Sequence, residues 1–214
     1  MHKHLNKFSR YSMLIATGLF FQFSGTSVLA KEYFTIIDGE LQRPTGYREW
    51  VYVGTPLTPN ELNNGKAAFP EFHNVYIDPE SWAHWKKTGQ FRDGTILMKE
   101  LISVGSKTAV SGKGYFMGEF LGLEATIKSK QHFPDEPGNW AYYSFSSKDH
   151  KNLAETAKPF PASSCNACHA GTAKDDFVFT QFYPVLSAGK GASKKASGGF
   201  DSDLTNNYME PEGK

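Results

Sequence analysis

The chain has 214 residues, with 23 lysines and arginines against 22 aspartates and glutamates and a net charge of +1. A balance this close to neutral leaves no basic excess to meet phosphates, which argues against a nucleic-acid role. Aromatic residues make up 14% of the chain, enough to wall a large flat cofactor, and the length suits one domain with a sizeable core.

Residues 1–30 read as a secretory signal peptide. Lys3, Lys7 and Arg10 form a basic start, residues 12–21 are apolar, and Val28, Leu29 and Ala30 offer a cleavage site. The apolar run is short of the ~20 residues a membrane span needs, and no later stretch is long and apolar enough to cross. Removing the signal takes three basic residues and no acidic ones. The remainder is slightly acidic, which suits a basic electron-transfer partner. The expected location is the periplasm.

From residue 31 the pattern is mostly pleated. Tyr33 to Ile37 followed by Asp38 and Gly39 predicts a strand and turn, and Trp50 to Val53 a strand that Gly54 ends. Pro56 and Pro59 make 55–65 a loop, and Phe72 to Ile77 is the next strand. Asp78, Pro79 and Glu80 then start a helix as cap, first-turn proline and dipole partner. Trp82 and Trp85 share one face of it, Lys86 and Lys87 load its last turn, and Gly89 stops it. His84 on this helix reads as a surface or packing residue.

Residues 95–105 predict a strand with Lys99 on the face of Leu97 and Leu101, and Glu100 on the face of Met98 and Ile102. One charge therefore points into apolar surroundings. Lys99 either snorkels along an apolar surface or faces a cofactor. After a polar turn, 115–127 reads as a long strand with Leu121, Leu123, Ala125 and Ile127 on one face and Glu124 on the other. Gly122, on the face of Glu124, makes room for something bulky. A turn at 133–139 leads to a strand at 140–145. Asp149 to Lys158 predicts a helix ending before Pro159, and 175–183 is open between strand and helix. Residues 187–214 look like a disordered tail. The expectation is an α+β domain over 31–186, predominantly antiparallel β-sheet with a few helices.

Cys165, Cys168 and His169 form a Cys-x-x-Cys-His sequence, the attachment signature of haem c. Two thiols at this spacing can add to the two vinyl groups of one haem edge, and the adjacent imidazole can ligate the iron. A zinc site would want four ligands, and the chain has no further cysteine. A thioredoxin-like pair wants a β-α-β setting that is missing here. A disulfide stays open in an exported chain but gives His169 no role. Carrier cytochromes place this motif early in a helical chain and use a methionine as sixth ligand. Here it is late, and Met98, Met117 and Met209 lie in strands or in the tail. An iron with an open face points to an enzyme or a gas binder.

The segments YREWV (47–51), DPESWAHWKK (78–87), FRDGT (91–95), KEL (99–101), GYFMG (114–118), GLE (122–124), EPGNWA (136–141) and FTQFYPVL (179–186) stand in an order that resembles the cytochrome P-460 family. The resemblance covers most of 47–186. It implies a periplasmic antiparallel β fold, usually a homodimer, with one covalent haem c per chain. Cys165 and Cys168 would be the thioether anchors and His169 the proximal ligand. Lys99 matches the lysine that forms a third link to the porphyrin, and Glu124 matches the distal carboxylate that accepts protons. His73 stands where a member of the family carries an arginine, a departure that alters the pocket's charge, and the resemblance assigns it no catalytic role. The implied activity is oxidation of hydroxylamine to nitrous oxide or nitric oxide, with electrons passed to an acceptor cytochrome c. A nitric oxide-binding protein resembling cytochrome c′-beta and a plain electron carrier are the alternatives. The charges at Lys99 and Glu124 favour the enzyme, because an apolar gas pocket needs neither.

Overall fold

The computed structural model describes residues 31–192. The signal expected at 1–30 and the tail from 193 lie outside the described residues. Within them, apolar runs build the expected strands. A hairpin of β1 (Ile36–Ile37) and β2 (Glu40–Gln42) turns at Asp38 and Gly39. It is followed by β3 (Val51–Gly54) and β4 (Phe72–Ile77).

Helix α1 (Pro79–Thr88) starts as its sequence dictates. Asp78 accepts a hydrogen bond from the Ser81 amide at 2.8 Å, Pro79 occupies the first turn, and Gly89 closes the helix at φ 73°. Next come β5 (Thr95–Val104), the small hairpin β6 (Thr108–Ala109) and β7 (Gly112–Lys113), the long β8 (Met117–Lys128) and β9 (Trp140–Ser144). The chain closes with β10 (Thr156–Ala157), α2 (Asn166–Thr172) and α3 (Pro184–Gly189).

Five strands form one antiparallel sheet in the order β3-β4-β5-β8-β9, and β1, β2 and β10 form a second, smaller one. The large sheet is buried on both faces, and the period of two assigns its residues. Ile96, Met98, Leu123 and Tyr143 point one way, into a core shared with Leu41 and Tyr47. Val75, Leu97 and Tyr142 point the other way, into a core shared with Trp85 of α1, Val178 and Leu186. Trp85 stacks on Phe91 with ring centroids 4.4 Å apart, and its indole N–H donates to the Leu186 carbonyl at 2.7 Å.

Two expectations are corrected. No helix forms at 149–158. Asp149 instead accepts from the Ser147 hydroxyl at 2.6 Å and the Lys151 amide at 3.2 Å, and His150 takes φ 56°, which breaks a helix. The chain then pairs with strands, first at Ala154 N–H to the Phe145 carbonyl and then as β10 against β2. The tail expected from residue 187 does not begin there. Helix α3 runs through Gly189, whose bare Cα lets the Trp82 ring lie against it. Residues 175–183 become neither strand nor α-helix. They form a tight bridge between Asp175 and Val178 and a 3-10 turn at Thr180–Phe182.

Candidate functional site

The antiparallel register sets Lys99 of β5 opposite Glu124 of β8 on the sheet face that α1, Val178 and α3 cover. Lys99 Nζ lies 2.5 Å from Glu124 Oε2, and both side chains are about a quarter exposed, at 28% and 27%. Lys99 therefore neither escapes to bulk water nor lies along bare hydrocarbon. It is paired. Gly122, expected to leave room for something bulky, instead admits Ser146. A Cβ at Gly122 would stand 2.0 Å from Ser146 Oγ, which accepts from the Leu123 amide at 3.0 Å.

Helix α2 carries the cysteine–histidine motif and is tied to the same sheet face. Asn166 is buried and donates to the Trp140 carbonyl of β9 at 3.0 Å. The His169 ring packs between Tyr142, at 4.4 Å, and Phe179, at 4.6 Å. Its Nδ1 lies 2.7 Å from the Phe177 carbonyl. A carbonyl only accepts, so Nδ1 carries the proton and Nε2 keeps a free lone pair. That tautomer suits a metal-ligating imidazole. The carbonyl is aimed by two successive non-glycine residues in the left-handed region, Asp176 at φ 43° and Phe177 at φ 64°. Such strain marks sites where geometry is imposed.

The motif and the charged pair sense each other. Burial holds the His169 imidazole below its usual range, the Phe177 carbonyl and Glu124 pull it up, and Lys99 pushes it down. Burial pushes the Cys165 thiol up, and Glu124 adds to this while Lys99 opposes it. The Tyr183 phenol is pushed up to about 12 by burial and then by Glu124. Residues from β5, β8, α2 and the segment before α3 thus share one space.

His73 belongs to the same face of the sheet, two residues from Val75, which pairs with Lys99. Its Nε2 is buried without a hydrogen bond, 3.5 Å from Glu71 Oε1. Burial and then the Lys99 cation push its imidazole down to about 4. His84 does not join this group through any ring hydrogen bond. Its carbonyl accepts from Thr88 Oγ1 at 2.9 Å.

The residues present fit a haem. Cys165 and Cys168 are free thiols, so the disulfide reading lapses. Among the described residues no three His, Cys, Asp or Glu side chains converge on a metal position. What remains is a pair of thiols three residues apart beside an imidazole with Nε2 free, walled by aromatic rings. Two contributors escaped the sequence reading. The Phe177 carbonyl carries no side-chain signal at all, and Glu71 sits in a proline-flanked loop with no motif around it.

No match was found among curated proteins. The family model of cytochrome P460 matches residues 44–180, a span that contains His73, Lys99, Glu124, the motif and the Phe177 carbonyl. With that match over well over half of its length, this chain belongs to the cytochrome P460 family and is a haem-binding cytochrome.

Proposed function

We propose that the protein is an exported, periplasmic c-type haem enzyme that oxidises hydroxylamine to nitrous oxide or nitric oxide and passes the electrons to an acceptor cytochrome c. The observation that carries this reading is the Lys99–Glu124 pair, held on the sheet face that also carries His169. A gas-binding pocket has no use for a charge pair there, because each charge costs desolvation.

In this reading Cys165 and Cys168 would hold one haem through thioether bonds, and His169 Nε2 would be its protein ligand. The haem, when bound, supplies the redox chemistry. The chain supplies the rest. The Phe177 carbonyl fixes the His169 tautomer, and Tyr142 and Phe179 restrict the ring and keep water from it. Glu124 Oε2 accepts protons from the nitrogen and oxygen of bound hydroxylamine. Lys99 would be the residue that holds the porphyrin through the third link the family resemblance implies, and with its amine so engaged Glu124 would lose its cation partner and be free to act as base. A homodimer is the proposed assembly.

The deciding experiment is the ferrous absorption spectrum of the purified, haem-loaded protein, followed by hydroxylamine oxidation with a small dye as electron acceptor. A Soret band far to the red of an ordinary c-type haem, lost in Lys99→Met, together with turnover, supports the reading. An ordinary c-type band with no turnover sinks it in favour of a nitric oxide binder.

A further inference from the structure

A buried imidazole nitrogen without a hydrogen bond is costly, and proteins rarely keep one without use. His73 keeps one. Its surroundings are specific. Phe69, from the loop before β4, sets its ring edge-on to His73 at 6.1 Å, and Lys99 Nζ lies 5.8 Å from the same ring. Lys99 and His73 therefore both adjoin the Phe69 ring, Lys99 is close enough for its charge to act on His73, and Lys99 in turn contacts Glu124. His73 also meets Glu71, with Nε2 and Oε1 3.5 Å apart. The two side chains are only 15% and 14% exposed. Glu71 also lines a surface cleft of about 290 Å³, together with Glu61, Ser103 and Lys107. The charged groups facing His73 are thus Glu71 from its own loop and Lys99 from β5, with Glu124 of β8 beyond Lys99.

We propose that His73 and Glu71 form the proton outlet of the Lys99–Glu124 site, carrying protons released there to the cleft that Glu71 lines. The proposal rests on the reading of Glu124 as the group that takes protons from substrate. The transfer balances as follows. Glu124 gives up the proton it has accepted, through one bridging water, to an imidazole nitrogen of His73. The imidazolium then loses a proton to the Glu71 carboxylate, and Glu71 releases it to water in the cleft. Each group returns to its starting state, and the net change is one proton moved from substrate to solvent. A partner held neutral suits this task, since it accepts a proton only in passing and releases it readily.

The test uses the haem-loaded protein and its His73→Ala, Glu71→Gln and double variants. Proton release is followed with a pH-indicator dye in a single turnover, beside steady-state rate, solvent isotope effect, haem content and the affinity for hydroxylamine without oxidant. The outlet requires each single variant to slow proton release at least tenfold and to raise the isotope effect, with haem content and affinity unchanged. The double variant falls no further than the slower single one, because both groups serve one path. Millimolar imidazole restores His73→Ala. Parental proton release in both single variants overturns the proposal, as does a loss that imidazole leaves untouched and that comes with altered haem content. A parental protein that turns over no hydroxylamine overturns the functional reading itself, and the outlet falls with it.

Discussion

Glu100 and Glu124 lie on adjacent strands of one sheet and point to opposite faces, and replacing each by glutamine separates stability from activity. Glu100 is 3% exposed. Its carboxylate accepts from the Tyr47 hydroxyl at 2.8 Å, Arg48 Nε at 2.6 Å and Asn74 Nδ2 at 3.3 Å. Glutamine of the same shape keeps one acceptor oxygen and turns an NH2 group toward these donors. Losing charge-assisted bonds to interior partners costs ~1.5–3 kcal/mol. The Arg48 side chain is 64% exposed, so its share is under ~1 kcal/mol. The sum is about 3 kcal/mol, which lowers Tm by roughly 6–12 °C in a domain of this size. Glu124 has one partner and is about a quarter exposed, so Glu124→Gln costs under ~1 kcal/mol. Its effect falls on hydroxylamine turnover, which drops ~100-fold or more when a general base is lost. Thermal unfolding by circular dichroism and dye-coupled turnover on both variants form the assay. An unfolding midpoint for Glu100→Gln within ~2 °C of the parent refutes the stability argument. Near-parental turnover by Glu124→Gln removes that residue from the chemistry.

Asp78 is fully buried and accepts from the Ser81 amide, the Ile96 amide at 3.1 Å and Arg92 Nη2 at 3.2 Å. Asp78→Ala therefore costs ~2–5 kcal/mol in urea unfolding, since it leaves two amides without their acceptor and Arg92 with Glu80 Oε2, at 3.8 Å, as its remaining carboxylate. Gly189→Ala drives a methyl group to 2.1 Å from the Trp82 ring. The overpacking costs ~1–3 kcal/mol and changes tryptophan fluorescence, whereas Ala at the solvent-facing Gly171, with nothing within 4 Å, does not. His73 titrates at about 4 in the folded chain against 6.5 for a free imidazole, through burial and then Lys99. Between those values the unfolded state binds more protons, so stability falls as pH drops through the window, by up to ~3 kcal/mol. His73→Phe flattens that acid-side slope in unfolding measured from pH 7 to pH 4, and an unchanged slope contradicts the assignment.

Much of this was legible in the sequence because it is local. Phe72 to Ile77 and residues 95–104 are strand-length runs with apolar residues on both faces, as a sheet covered on both sides requires, and Asp78, Pro79 and Gly89 bound α1 by cap chemistry alone. The motif at Cys165 to His169 is local too. What stayed hidden depends on distant partners. Asp149 to Lys158 has helical composition, but Ser147 and Asp149 bond the backbone locally and the edge of β2 recruits Thr156 and Ala157. One inward charge on β5 was foreseen, yet Glu100 is satisfied by Tyr47 and Arg48, more than fifty positions earlier. The room at Gly122 was foreseen, and its occupant, Ser146, was not. The carbonyl that orients His169 is backbone, and no residue type announces it.

Register ties these pieces together. Slipping β5 by one residue would turn Glu100 toward His169 and bury Lys99 among Tyr47 and Asn74, because side chains alternate with a strict period of two. Several contacts oppose that slip. Asp78 accepts from the Ile96 amide while capping α1, so one buried carboxylate joins the helix start to the start of β5. Glu100 binds donors that stand only on the far face. Toward the other end, an extra residue in β8 at Leu121 bulges between the Leu101–Gly122 and Ile102–Phe120 pairs, and Ser146 holds the Leu123 amide beside it. A bulge fixes pairing on either side of itself and so cannot slide. The juxtaposition of Lys99 and Glu124 is therefore as stable as the sheet, and a substitution that loosens Asp78 or Glu100 disturbs the site by shifting β5, without touching any residue in it.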